Sequence, residues 1–372
     1  MILVLEPNTN PESPDYRMLA SQLERLPSVK FRVHREVGTE VTLTEIYLIG
    51  NTGALTIEQM QVLPCVAKVV RVSEPYRVLG RHNLGDDRAS SFDYNGVHFG
   101  QDNLNVFAGL CAVDSRESVE AMMKALRDNG QVCTRMGAYK PRTSPYAFQG
   151  FGTSCLPYVF ELAGKYGIRV ISMEVTHESH VDEIREALRT TGKPTGVMLQ
   201  IGTRNTQNFE LLKLVGKQQE FPVLIKRGFG ITLDESLNAA EYLATEGNRK
   251  VVFCLRGMKT NMGDPHRNLV DFAHVPVVKR LTRMPVAVDP SHSVGTRAAG
   301  PDGMSDIFHV TAQGVIAGAN MVLVDFHPDP SRALVDGPQA LLVSELPHFL
   351  ADVAIAREAY EKRTRLAREL RA

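Results

Sequence analysis

The stretch "NVFAGLCAVDSRESVEAMMKALRDNGQVCTRMGA", residues 105–138, decides the fold. Its first apolar run, 105–113, reads as a strand buried on both faces. Ser115 then supplies a helix cap, an amphipathic pattern runs through "SRESVEAMMKALRDNG", and Gly130 supplies the stop. A second apolar run, "VCTRMGA" at 132–138, follows directly. Strand, helix and strand in this order form the repeating unit of a parallel sheet.

The unit recurs toward the C-terminus. Further runs are "RVISMEV" (169–175), "GVMLQIG" (196–202), "PVLIKRG" (222–228), "KVVFCLRG" (250–257), "PVAVDPS" (285–291) and "MVLVDFH" (321–327), with helical patterns such as "TLDESLNAAEYLATEG" between them. Eight strand–helix units over about 260 residues predict a (β/α)8 TIM barrel across 105–372. An open, doubly wound sheet is the competing arrangement, and eight regular units favour the closed one. The stretch 339–371 reads as a long helix completing the outer ring.

Toward the N-terminus the regime changes. "ILVL" (2–5), "FRVHREV" (31–37), "EIYLIG" (45–50) and "AKVVRV" (67–72) read as strands, and 13–26 and 56–63 as helices. The order β-α-β-β-α-β predicts a ferredoxin-like α+β domain over 1–75. Residues 76–104, rich in Arg, Asp, Gly and Asn, read as a linker carrying one hairpin.

Composition narrows the function classes. The 372 residues carry 42 Lys plus Arg against 42 Asp plus Glu, so there is no basic footprint for nucleic acid. No run reaches the roughly 18 apolar residues that span a bilayer. "MILVLEPNTN" lacks the basic and apolar regions of a signal peptide. The five cysteines are widely spaced and odd in number, which argues for a reducing compartment, hence a cytoplasmic protein.

Barrel enzymes do their chemistry at the C-terminal ends of the strands. Cys111 follows the first strand; Arg135 sits in the second, which leads to Lys140 and Arg142; Glu174 ends the third. Arg204 follows the fourth, Lys226 and Arg227 the fifth, Arg256 and Lys259 the sixth, Asp289 and His292 the seventh, and Asp325, His327 and Asp336 the eighth. Cations recurring around one ring suit a phosphate, and Arg227 is the best candidate for a purely scaffolding ion pair. In "GAYKPRTSPYAFQG" (137–150), Lys140, Arg142, Thr143 and Ser144 are stiffened by Pro141 and Pro145, which again suits an anion. Cys111, His292, Asp325 and Asp336 come from neighbouring strands. Their soft, borderline and hard donors suit a divalent ion such as manganese, iron, cobalt or zinc. Each of these residues alone is a common packing or scaffold feature.

Five ordered motifs carry a resemblance. "GAYKPRTSPYAFQGFG" (137–152), "LQIGTRNTQNF" (199–209), "VLIKRGF" (223–229), "VDPSHS" (288–293) and "HPDPSRALVDGPQAL" (327–341) resemble the 3-deoxy-D-arabino-heptulosonate 7-phosphate (DAHP) synthases of the type I-beta group. These condense phosphoenolpyruvate with erythrose 4-phosphate in the first step of the shikimate pathway. The segment "CVAKVVRVSEPYRVLGR" (65–81) is similar to that family's appended domain. The resemblance implies that Arg135, Lys140, Arg204, Lys226 and Arg256 hold phosphoenolpyruvate, that Arg142 and Thr143 hold the aldose phosphate, and that Cys111, His292, Asp325 and Asp336 bind the metal. For such a condensation Lys140, His292 and Glu174 are the candidates for proton transfer, with Glu174 alternatively orienting Lys140. The β-α-β-β-α-β order of 1–75 resembles small regulatory modules that bind amino acids, so an aromatic amino-acid effector is one expectation for it and packing within a homo-oligomer, a dimer or tetramer, is the other.

Four positions depart from the family pattern. Leu110 replaces a proline, Met136 a glycine, Leu255 a glutamate, and Asp325 a glutamate one methylene longer. They leave open a paralogue with another aldose acceptor, or an inactive binding or regulatory homologue. A Schiff-base aldolase using Lys226 is a further alternative.

Overall fold

Period-two alternation runs in phase around eight consecutive parallel strands, and this builds the site. In a computed structural model, all residues are described except 53–54, 72–75, 82–88, 192–194 and 371–372. The chain divides into two compact units, Met1–Arg77 and Val78–Ala372.

In the first unit, β1 (Ile2–Leu5), α1 (Pro14–Glu24), β2 (Val29–Val37), β3 (Thr42–Gly50), α2 (Ile57–Gln61) and β4 (Val66–Val70) follow in order. The sheet order is β2-β3-β1-β4, the ferredoxin-like arrangement expected. Ser13 caps α1 by accepting from the Tyr16 amide at 3.2 Å, with Pro14 at the first helical position. Leu19 and Leu23 of α1 bury against Leu3, Leu5, Ile46 and Leu48 of the sheet.

The second unit holds the barrel. Its strands are β7 (Asn105–Leu110), β8 (Cys133–Met136), β9 (Val170–Val175), β10 (Gly196–Ile201), β11 (Val223–Lys226), β12 (Val251–Leu255), β13 (Val286–Val288) and β14 (Met321–His327). All neighbours pair in parallel, and β14 pairs with both β7 and β13, so the sheet closes on itself. Between strands lie α3 (Arg116–Asp128), α4 (Leu156–Tyr166), α5 (Ser179–Thr191), α6 (Phe209–Lys217), α7 (Leu233–Thr245), α8 (Val275–Leu281) and α10 (Asp306–Ile316), after a short α9 (Pro290–Val294). The long α11 (Leu346–Glu369) follows β14. No helix among the described residues is long and apolar enough to cross a membrane.

Residues from Val78 onward group with the barrel, and residues 82–88 lie outside the described residues. The hairpin β5 (Phe92–Tyr94) and β6 (Val97–Phe99) packs Val97 and Phe99 into one core with Phe107, Cys133, Val170, Met198, Leu224, Val252, Ala287 and Leu323. These are inward residues from the lower parts of the strands. Its Arg- and Asn-rich surroundings hide this role in the sequence; the four aromatic and branched residues of the hairpin supply it.

Side chains two positions apart share a face of a strand. Stepping two residues up from this apolar floor converts Cys133 to Arg135, Met198 to Gln200, Leu224 to Lys226, Ala287 to Asp289 and Leu323 to Asp325. All five of these upper residues are buried. The same register therefore yields a hydrocarbon plug at one end and a charged mouth at the other.

Candidate active site

The mouth encloses a cavity of about 290 Å³. Lys140, Arg142, Arg204, Lys226, Arg256 and Arg267 line it, opposed by Glu174 and Asp336, with His292 beside them. Such an excess of cations concentrates a ligand bearing several negative charges.

The loop after β8 sets the cavity's rim. It turns back on itself: the Lys140 amide donates to the Gln149 carbonyl at 2.9 Å, and the Gly152 amide to the Ala138 carbonyl at 2.9 Å. At Gly150, φ is +95° and a Cβ would lie 2.1 Å from the Ala138 oxygen, so only glycine permits this return. Lys140 is thereby carried inward and buried, while Thr143 stays at the rim and accepts from the Arg204 guanidinium at 3.1 Å.

Lys140 Nζ lies 3.3 Å from Cys111 Sγ and 3.6 Å from a Glu174 oxygen. Burial opposes its charge, but Cys111 and Glu174 outweigh burial and raise its pKa. Glu174 has room only because position 202 is glycine: a Cβ there would fall 1.8 Å from its carboxylate.

Arg256 and Arg227 behave oppositely. Arg227 donates to Asp271 at 3.1 Å and to His274 at 2.9 Å, a scaffold ion pair. Arg256 is 1% exposed, and among the described residues its Nε and Nη1 have no hydrogen-bond partner. The Phe229 ring lies 4.8 Å from its guanidinium carbon, and burial lowers its pKa. Asp289 and Asp271 favour its charge from nearby, yet a buried guanidinium with two nitrogens left without hydrogen bonds is costly unless a ligand completes it.

Asp289 organises the opposite wall. It accepts from Lys226 at 2.5 Å and from His292 Nδ1 at 3.1 Å, and it caps α9 through the His292 amide. Burial works against the His292 imidazolium, but Asp289 prevails and lifts its pKa to about 10. With Nδ1 held, Nε2 faces Cys111 Sγ at 3.8 Å and Asp336 Oδ2 at 3.5 Å, and Sγ to Oδ2 is 3.2 Å. A thiol, an imidazole nitrogen and a carboxylate gathered within 4.8 Å, on a histidine oriented by a buried carboxylate, fit a divalent transition metal. Asp325 is not in that cluster. It pairs with Arg135 and accepts from Gln339 Nε2 at 2.6 Å.

Two contributors escaped the sequence reading altogether, while Asp289, named at its strand end in "VDPSHS", was given no role there. Arg267 and Gln339 come from irregular loops with no period to read; Arg267 reaches Asp336 at 3.4 Å and Gln339 at 3.0 Å.

A closed barrel with this polycationic, partly unpaired mouth defines an anion-handling (β/α)8 enzyme. The sequence pattern of the DAHP synthetase I family matches residues 82–360, and that of the DAHP synthase ferredoxin-like domain matches 1–74. The chain belongs to the DAHP synthetase I family. It is 36% identical to phospho-2-dehydro-3-deoxyheptonate aldolase of Thermotoga maritima, over 92% of this chain and 93% of that protein. It is 27% identical to 2-dehydro-3-deoxyphosphooctonate aldolase of Acidithiobacillus ferrooxidans, over 66% of this chain and 86% of that protein. The crystal structure of the Thermotoga enzyme superposes with a TM-score of 0.75 at 33% identity, covering 99% of this chain and 97% of that one.

Proposed function

We propose that this protein condenses phosphoenolpyruvate with erythrose 4-phosphate, giving DAHP and phosphate, at the mouth of its barrel. The observation that carries the reading is Arg256: fully buried, lining the cavity, and without a hydrogen-bond partner for Nε and Nη1 among the described residues. Arg135, Lys140, Arg204, Lys226 and Arg256 hold the phosphoenolpyruvate phosphate and carboxylate. Arg142 and Thr143, at the rim, hold the acceptor's phosphate, and the Arg204–Thr143 contact joins the two halves.

In the reaction, C3 of phosphoenolpyruvate bonds to the aldehyde carbon of the acceptor. Water adds at C2, and the phosphate leaves with its bridging oxygen. Lys140, kept protonated by Cys111 and Glu174, gives the aldehyde oxygen its proton, and Glu174 orients it. Arginines stabilise charge on the departing phosphate. A divalent ion held by Cys111, His292 and Asp336 would supply Lewis-acid polarisation of the aldehyde oxygen. Asp289 keeps His292 turned with Nε2 toward that place.

The assay is loss of phosphoenolpyruvate with erythrose 4-phosphate, with and without EDTA, set against arabinose 5-phosphate as acceptor. Turnover with erythrose 4-phosphate that EDTA abolishes is the expected result. Turnover with only the pentose phosphate would transfer the chain to the octonate branch. A borohydride-trapped substrate adduct on Lys226 would replace the metal reading with a Schiff base.

Five free cysteines agree with a cytoplasmic enzyme. The N-terminal unit serves control or assembly of a dimer or tetramer. Its open sheet face carries a cleft of about 530 Å³ lined by Arg32, Val33, His34, Tyr47 and Ile49, which suits an aromatic amino acid. Deleting residues 1–75 should leave an active barrel that no longer responds to tyrosine or phenylalanine.

A further inference from the structure

We infer that Phe229 is a positioning residue for phosphoenolpyruvate: its ring takes the place of a carboxylate beside Arg204, Arg256 and Lys259, and so holds the two arginines ready for the substrate. This rests on the proposed function and adds a residue to the phosphoenolpyruvate half of that site.

Five cations of the mouth already have carboxylate partners. Arg135 pairs with Asp325, Lys140 with Glu174, Lys226 with Asp289, Arg227 with Asp271 and Arg267 with Asp336. Arg204, Arg256 and Lys259 form no ion pair among the described residues and share one aromatic ring instead. The centroid of Phe229 lies 4.8 Å from Arg256 Cζ, 5.4 Å from Arg204 Cζ and 5.9 Å from Lys259 Nζ. All three distances fall within the roughly 6 Å over which the negative face of a ring attracts a cation. The choice of partner matters for the ligand. A carboxylate would occupy the N–H fork of a guanidinium. A π face attracts the same charge and leaves the in-plane N–H groups unclaimed, as Nε and Nη1 of Arg256 are among the described residues.

The turn after β11 fixes the ring. Thr206 Oγ1 donates to the Lys226 carbonyl at 2.7 Å, and Thr203 Oγ1 donates to the Arg227 carbonyl, so the two residues that lead into the turn are tied down. Phe229 is half-buried and does not line the cavity itself; Arg204 and Arg256 do, and it acts through them. Without the ring, Arg256 would be drawn toward Asp289 and Asp271, which favour its charge from nearby. Returning the guanidinium to its place would then be subtracted from substrate affinity, which is the cost that preorganisation removes.

The test measures phosphoenolpyruvate binding to the full chain by calorimetry, alongside steady-state kinetics and thermal melts. Phe229→Leu removes the π face but keeps an apolar side chain. It should weaken phosphoenolpyruvate binding about tenfold, with kcat within about twofold of the parent. Phe229→Tyr keeps the face and should bind within about twofold of the parent. Trifluorophenylalanine incorporated at position 229 nearly keeps the shape of the ring and weakens its negative face. It should lose about threefold in affinity with an unchanged melting temperature, a response that a purely structural role would not give. Equal affinity of the fluorinated protein and the parent would overturn the inference, whether Phe229→Leu folds or not, because the ring would then act by volume alone. An affinity loss matched by a lowered melting temperature would overturn it too. A parent protein that binds no phosphoenolpyruvate would overturn the proposed function and this inference with it.

Discussion

The two ends of the barrel are built on the same strands in the same register, yet they obey opposite rules. At the floor, inward positions hold Phe107, Met198, Leu224 and Leu323, sealed by Phe99 of the hairpin. At the mouth, two residues further on, they hold Arg135, Lys226, Asp289 and Asp325. The floor gains stability from hydrocarbon contact; the mouth gives stability up by holding charge out of water. The difference teaches that the barrel places its strain where its ligand will relieve it.

Four measurements break or sharpen this comparison. Arg256→Ala removes a cation that has no partner for two of its nitrogens. Its kcat/KM should fall by about 10³-fold while the ligand-free melting temperature holds or rises. A melting temperature lowered by several degrees would show the mouth carrying the fold.

Phe107→Ala should do the reverse. It deletes a ring that is 0% exposed, and large-to-small changes of this kind cost about 3–5 kcal/mol. Denaturant melts should show that loss, with kcat/KM per folded molecule unchanged. A changed Michaelis constant would mean floor and mouth are coupled.

Lys279 is a misplaced charge near the floor end, donating to the Gly318 carbonyl at 2.9 Å. Burial, helped by Arg357 and Arg81, pushes its pKa down to about 8 from 10.5. Below pH 8 both folded and unfolded states carry the proton, so the cost is present in full. Between pH 8 and 10.5 the folded state releases it first, so stability climbs with pH, by about 3 kcal/mol at most. Subtracting the pH–stability curve of Lys279→Met from that of the parent should isolate this rise. A flat difference would remove Lys279 as its source.

The smallest effect belongs to the rim. Arg142→Lys keeps charge but loses the two-pronged fork. It should raise the acceptor's Michaelis constant several-fold and leave that of phosphoenolpyruvate within about twofold. Equal rises would mean that Arg142 does not belong to the acceptor half.

Much of this was legible before any coordinates. Apolar runs spaced by capped helices announce a parallel sheet buried on both faces, and their count of eight favours the closed barrel over the open doubly wound sheet. The ring of cations followed from reading what comes after each run. Parity even separates Lys226, which faces inward, from Arg227, one residue on, which turns outward to Asp271. The hairpin at 92–99 was undervalued because its six paired residues sit among polar ones.

By itself, then, the amino-acid order determined the element sequence, the closed barrel and the roster of charged groups at its mouth, since periodicity and local capping are properties of neighbouring residues. Only the tertiary structure decided which of those groups meet. Among the described residues Arg256 keeps two nitrogens without hydrogen bonds, while Arg227 is held by Asp271 and His274, which arrive from a distant loop. Asp325 turns to Arg135 and Gln339 rather than to His292 Nε2 because a carboxylate's partners are set within an ångström or two. That precision is fixed by packing across strands far apart in sequence, not by the residues on either side.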